Sequence, residues 1–284
     1  MEDGRHSYMA ESSAYLRAVH MSLDGEPKIL DDPLAAWLLE AELEENIAAD
    51  RERLLTDALV KARSLIVMRS RFAEDEMAVS LNRGVRQYVI LGAGLDTSAY
   101  RNGNLVDQLQ VYEVDHPDTQ KLKLERLAGA NIPMHENIRH VAVDFEQQSM
   151  ADGLAEAGFD RDLPTFFSWL GVSYYLNRES VLDVFKYVAG GAPHSQLIFD
   201  FMLADSVLGE KERKALAKIT AFLEKYREPL ICRFEPLELQ DTLYRIGFDQ
   251  AFHLTWEAAM ARYFENRPDG MYLDPTTQIM SAIV

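Results

Sequence analysis

A chain of 284 residues accommodates one large α/β domain, or one domain with a substantial appendage, and 48% hydrophobic residues suffice for a sizeable core. Lys and Arg number 29 against 46 Asp and Glu, a formal charge of -17, and no Lys/Arg-rich run occurs. That balance works against a broad grip on nucleic-acid phosphates or on an anionic membrane surface.

Met1 to Ser13 is polar and lacks the apolar core of a signal peptide, and no run of about eighteen apolar residues occurs that could span a membrane. Cys232 is the single cysteine, which rules out an internal disulfide and a CxxC metal knuckle, and the seven histidines show no HExxH spacing. The expectation is a cytoplasmic protein without a metal, nucleic-acid or membrane partner. Oligomeric state is not encoded in any pattern of the sequence.

The first 83 residues read as a helical N-terminal cap. Asp31-Asp32-Pro33 is a helix-start signal, followed by apolar Leu34, Trp37, Leu38 and Leu39. Between Arg53 and Leu81, residues Leu54, Leu55, Ala58, Leu59, Ala62, Leu65, Ile66, Met68 and Phe72 recur at helical spacing. One long amphipathic helix with a core-facing stripe is predicted there.

After Gly84 the texture changes. Gln87 to Leu91 is a short apolar, β-branched run ending in Gly92-Ala93-Gly94, and helix-compatible segments then alternate with strand candidates. These are Leu109 to Val114, Ile138 to Val143, Thr165 to Trp169 and Gln196 to Phe201. The alternation predicts βαβ units in a doubly wound α/β sheet over residues 84–284. A helical insertion from Asp205 to Tyr226 and a helix from Pro236 to Ile246 follow. Phe248 to Leu254 and Thr277 to Val284 read as late strands, and the short connection between them predicts an antiparallel addition at the sheet edge.

Glycines between a strand and a helix let the backbone approach a ligand closely. Thr97 occupies the third glycine position of the dinucleotide fingerprint, so a pyrophosphate cradle is poorly supported. Asp115 ends the next strand about twenty residues on, where an acidic side chain accepts hydrogen bonds from ribose hydroxyls. A ribose partner without a pyrophosphate seat points to S-adenosylmethionine over a nicotinamide dinucleotide. Asp144 ends the third strand candidate, placed to accept from an adenine amino group while Phe145 packs on the ring.

Longer blocks carry a resemblance. Met68 to Glu76, Arg86 to Arg101 with its Gly92-Ala93-Gly94-Leu95-Asp96-Thr97 core, Val111 to Pro117, Val143-Asp144-Phe145 and Phe167 to Leu176 together resemble the leucine carboxyl methyltransferase superfamily. The similarity runs from about Ser12 to the C-terminus and is closest to the bacterial small-molecule branch. It implies a class I, Rossmann-like methyltransferase fold with a helical N-terminal cap, binding S-adenosylmethionine. Carried over by position, Gly92 and Gly94 belong to the loop under the methionine part of the cofactor, Asp115 holds the ribose, and Asp144 with Phe145 frames the adenine. Arg69 pairs with the cofactor carboxylate, with Arg71 as the fallback, and Arg17 is a basic contact from the cap. Many relatives have a glutamate before the glycine at 171; here that residue is Leu170, so its cofactor contact is not carried over.

Methyl transfer from a sulfonium is an in-line displacement, so the protein mainly aligns the reactants. A carboxylate acceptor is already ionised, whereas a hydroxyl acceptor benefits from a base, for which His20 and His6 are the candidates. The leading expectation is an O-methyltransferase acting on a small metabolite, in the manner of secondary metabolism. Alternatives are a protein carboxyl methyltransferase, a non-catalytic S-adenosylmethionine-binding protein and, last, a nicotinamide reductase. The acceptor pocket is expected between the cap and the 205–226 insertion.

Overall fold

The computed structural model describes residues 8–39, 43–101, 103, 107–144, 148–226 and 228–284. The N-terminal segment is helical: α1 (Tyr8–Leu23), α2 (Leu43–Ala49), the single turn α3 (Arg51–Leu54) and the long α4 (Asp57–Asn82). The long helix expected from Arg53 is therefore divided. Thr56 turns its hydroxyl back to the carbonyl of Arg53 at 2.7 Å, closing α3, and takes the extended backbone of an N-cap for α4. The helix expected after Pro33 does not form, because residues 33–39 make only turns. Asp32 caps them by accepting from the Ala35 amide, and the one α-type bond, Leu38 to Leu34, is flanked by the i+3 bonds Trp37 to Leu34 and Leu39 to Ala36 and does not propagate.

The remaining chain alternates. It runs β1 (Gln87–Leu91), α5 (Ser98–Arg101), β2 (Gln110–Asp115), α6 (Pro117–Gly129), β3 (Ile138–Ala142), α7 (Met150–Glu156), β4 (Thr165–Trp169), α8 (Arg178–Ala189) and β5 (Gln196–Met202). Then come α9 (Glu210–Leu223), α10 (Pro236–Ile246), β6 (Gln250–Leu254), α11 (Trp256–Tyr263) and β7 (Thr277–Ile283). The seven strands form one sheet in the order β3-β2-β1-β4-β5-β7-β6. Neighbours from β3 to β5 are parallel, while β7 runs antiparallel to both β5 and β6. The reversed strand thus enters at the predicted end of the sheet, one position inside β6.

Burial explains the order. β1, β4 and β5 are buried along their whole length, as expected of central parallel strands covered on both faces. β3 and β6, at the two edges, alternate between buried and more exposed residues. Within β1, Tyr88 and Ile90 face one core cluster, while Val89 and Leu91 face the other. Met68, Phe72 and Met77 of α4 belong to the same cluster as Tyr88 and Ile90. The segment expected as a cap therefore has two parts: α4 covers the sheet directly, and α1 packs on α4. The strand order reverses between β1 and β4, and at such a switch point the strand ends open into a crevice.

Candidate active site

A cavity of about 770 Å³ opens at this switch point. Its floor is the end of β1 with the Gly92–Asp96 loop, Asp115 and His116 at the end of β2, Asp144 after β3, and Ser168–Val172 at the end of β4. Met9, Ala10, Ser13 and Arg17 of α1 and Arg69 of α4 form another wall. The N-terminal helices therefore close the crevice as well as stabilise the sheet.

Two glycines make the loop. Gly92 has φ +69°, and a Cβ there would stand 2.4 Å from Cγ2 of Val172. Gly94 has φ +48°, and its amide donates to one oxygen of Asp115. The His116 amide donates to the other oxygen at 2.7 Å. His116 also N-caps α6, with Pro117 at the first helical position. Burial pushes the Asp115 carboxyl above its usual range, and the two amides offset this only in part. Each carboxylate oxygen accepts more than one hydrogen bond, so Asp115 keeps capacity for a ligand's hydroxyls.

The arginines separate. Arg69 is buried, lines the cavity, and donates from Nη1 to Asp200 Oδ2 at 2.9 Å and to the Tyr174 hydroxyl at 3.1 Å. Burial works to lower its pKa, but the Asp200 carboxylate outweighs that and holds the guanidinium firmly charged. Arg71, two residues along the same helix, is exposed, pairs with Asp75 at 2.7 Å and does not line the cavity. Positions two apart on a helix face different ways, so Arg71 cannot serve as the fallback. Arg17 lines the cavity while donating to Asp32 at 2.7 Å and to the Leu95 carbonyl at 2.6 Å, which ties α1 to the glycine loop.

His20 is a correction. It is fully buried in α1 and lies off the cavity. Its Nδ1 faces Asp24 Oδ2 at 2.8 Å, and its Nε2 accepts from the amides of Ile29 at 3.2 Å and Leu30 at 3.5 Å. Arg63 of α4 grips both oxygens of the same Asp24 at 2.6 and 2.7 Å. With both ring nitrogens engaged in a buried network, His20 has no lone pair to offer an acceptor; it ties α1 to the Ile29–Leu30 segment, while Asp24 with Arg63 joins α1 to α4. Phe145, and His6 as the second candidate base, lie outside the described residues. The 205–226 insertion contributes no residue to the cavity wall, although Glu228 just beyond it does, and Tyr226 stacks on Tyr8 of α1 at 4.0 Å.

Two carboxylates went unassigned in the sequence. Asp96 lines the cavity and accepts from the Ser98 amide at 2.7 Å; burial acts to raise its pKa, but Arg17 and Lys123 leave it lowered. Asp200 sits in β5 with no solvent exposure. A single acid inside the apolar run Gln196-Leu197-Ile198-Phe199-Asp200-Phe201 was the signal, since buried charges require a partner.

Residues 10–189 match the model of the family described as leucine carboxyl methyltransferase. A Bacillus subtilis protein with the provisional name S-adenosyl-L-methionine-dependent methyltransferase YktD is 30% identical over 307 residues, covering all of this chain and 99% of that protein. A Mycobacterium tuberculosis (strain H37Rv) protein with the provisional name S-adenosyl-L-methionine-dependent methyltransferase Rv3399 is 33% identical over 240 residues, 79% of this chain and 64% of its own. Among solved structures, a provisionally assigned methyltransferase from Thermobifida fusca aligns over 94% of this chain and 97% of its own, with a TM-score of 0.56 at 16% identity. A duf574 family protein from Streptomyces avermitilis aligns over 96% of each chain, with a TM-score of 0.55 at 14% identity. These two share the fold.

Proposed function

The chain belongs to the leucine carboxyl methyltransferase family, and from that premise we propose that it is a cytoplasmic enzyme that methylates an oxygen of a small-molecule acceptor. Its cofactor is S-adenosylmethionine, and its fold is the class I, Rossmann-like methyltransferase sheet. The observation that carries the reading is the Gly92–Asp115 arrangement. A glycine position with no room for a side chain stands beside the half-buried Asp115 carboxylate, at the strand ends where the sheet order reverses.

The residues fit the cofactor. Glycine at 92 lets the loop close against Val172 at the cavity floor, Asp115 and Asp144 supply acceptors for hydroxyl and amino donors, and Arg69 supplies a guanidinium for a carboxylate. When bound, S-adenosylmethionine supplies a methyl group on a sulfonium that an acceptor oxygen displaces. The protein's part is alignment and exclusion of water, and α1 and α4 form the wall that does so.

The charge of the lining supports an uncharged acceptor over a carboxylate or a peptide C-terminus. The wall carries Asp96, Asp115, Asp144, Asp183 and Glu228 against Arg17 and Arg69, and both arginines already face carboxylates. An anionic acceptor would enter a negative field without a cation of its own. A hydroxyl acceptor must lose its proton, and Glu228 takes the place of His20 as the group to test. It lines the cavity, and its charge adds to the burial that pushes the Tyr175 hydroxyl up.

Labelled S-adenosylmethionine offered with phenols, alcohols, carboxylic acids and peptides is the test. Label on a neutral hydroxyl compound, reduced in Glu228→Gln, supports the proposal. Label confined to peptide C-termini would establish the protein-directed alternative.

A further inference from the structure

Arg69 is one buried guanidinium with two tasks. Among the described residues only its Nη1 finds acceptors, in Asp200 Oδ2 at 2.9 Å and the Tyr174 hydroxyl at 3.1 Å. Its other nitrogens have no protein acceptor there, although the side chain lines the cavity. The fork is pressed on the Gly171 turn: Gly171 has φ +77°, and a Cβ on it would stand 2.6 Å from Nη2. Asp200 governs both partners. Its Oδ2 takes Arg69, its Oδ1 takes the Gly171 amide at 2.6 Å, and its backbone carbonyl takes the Ser173 hydroxyl at 2.6 Å.

The sheet register explains how. β4 and β5 are parallel with Trp169 opposite Phe199, and one residue further on each strand stand Leu170 and Asp200. Leu170 is apolar and packs against the core cluster on the α4 side of the sheet. The carboxylate at this turn therefore comes from β5 rather than from the residue before Gly171. Asp200 is fully buried and is not part of the cavity wall, so it acts through Arg69 rather than on a ligand.

We propose that Asp200 is a positioning residue for cofactor binding: by holding Nη1 and the Gly171 amide together, it presents the remaining Arg69 donors to the carboxylate of the cofactor's amino-acid end. This rests on the S-adenosylmethionine reading above. Two ligands separate the roles. S-adenosylhomocysteine carries the amino-acid end, and 5′-methylthioadenosine has the same nucleoside without it. Without Asp200 the buried guanidinium loses its anchor, and the carboxylate-bearing ligand alone is affected.

The experiment is calorimetric titration of the full chain with both ligands. Asp200→Asn is expected to weaken S-adenosylhomocysteine binding by about tenfold to a hundredfold, the range of a charge-assisted hydrogen bond, and to leave 5′-methylthioadenosine unchanged. Tyr174→Phe, which removes the second Nη1 acceptor without removing a charge, should show the same selectivity with a smaller loss, and serves if the Asp200 variant does not fold. Combined with Arg69→Ala, the Asp200 substitution should add no further loss. Equal weakening of both ligands, or unchanged or tighter S-adenosylhomocysteine binding, overturns the proposal. A parent protein that binds neither ligand removes the cofactor reading, and this assignment falls with it.

Discussion

Gly92→Ala is the substitution whose effect the geometry specifies most fully. At φ +69° an L-residue sits in the left-handed region, at a penalty of about 1–2 kcal/mol. The new methyl would also stand 2.4 Å from Val172 Cγ2, far inside van der Waals contact, and relieving such overpacking costs about 1–3 kcal/mol. A domain of this size loses about 2–4 °C of melting temperature per kcal/mol, so the combined cost of about 2–5 kcal/mol corresponds to a fall of about 4–20 °C. Val172→Ala removes the clashing methyl but not the backbone strain. Combining the two should show a favourable coupling of about 1–3 kcal/mol relative to the single variants, with the left-handed penalty remaining. Thermal denaturation of the four proteins measures this, and titration with S-adenosylhomocysteine should show weaker binding in both variants that carry the Gly92→Ala substitution. A Gly92→Ala melt within about 1 °C of the parent, or additivity of the two substitutions, would show that Val172 does not crowd position 92.

The buried network around Asp24 and the carboxylates of the cavity give further expected outcomes. His20→Ala should lower stability by about 1–3 kcal/mol through loss of its hydrogen bonds, yet leave turnover per folded molecule unchanged; a drop of about 10²-fold with folding intact would restore it as a base. Burial acts to raise the Asp24 pKa, but its bonds to His20 and Arg63 leave it lowered, so Asp24 contributes stability above the ordinary carboxylate pKa of about 4 that is lost as pH falls through its folded value. Acid unfolding curves should therefore flatten in Asp24→Asn, whereas Arg63→Met should destabilise by about 3–5 kcal/mol at neutral pH by leaving a buried carboxylate short of its guanidinium. Asp115→Ala should weaken S-adenosylhomocysteine binding by about 1–3 kcal/mol, and Asp144→Asn less. Because burial raises the Asp115 pKa, affinity in the parent should begin to fall at a higher pH than an ordinary carboxylate would give, and Asp115→Asn should abolish that dependence.

Much of the fold was legible because its signals are local. The buried runs of β1, β4 and β5 stand out as apolar, β-branched or aromatic stretches between glycines and polar residues, and β4 and α10 match their expected limits. Edges were harder: β6 starts at Gln250 rather than Phe248, since a half-exposed strand fades into its turn. Pro33 marked a start but not a helix, because nothing local shows that Asp32 is shared with Arg17 and Arg101. In the site, the glycine loop and Asp115 lie within one βαβ unit and could be read from spacing. Arg69 came ahead of Arg71 only through the resemblance, because spacing alone does not show which way α4 rolls on the sheet. Asp200 meets Arg69 across 131 positions of sequence, a distance no local pattern spans. His20 misled for a related reason: a histidine on a buried helix face reads alike whether it meets a substrate or, as here, the amides of Ile29 and Leu30.

The crevice at the ends of β1 and β2 is the proposed seat of S-adenosylmethionine. Calorimetric titration of the purified chain with S-adenosylhomocysteine and, separately, with NAD addresses it most directly. One S-adenosylhomocysteine site per chain is expected, weakened in Gly92→Ala and Asp115→Ala, with no detectable heat from NAD. Tight NAD binding, or S-adenosylhomocysteine binding that both substitutions leave untouched, would contradict it.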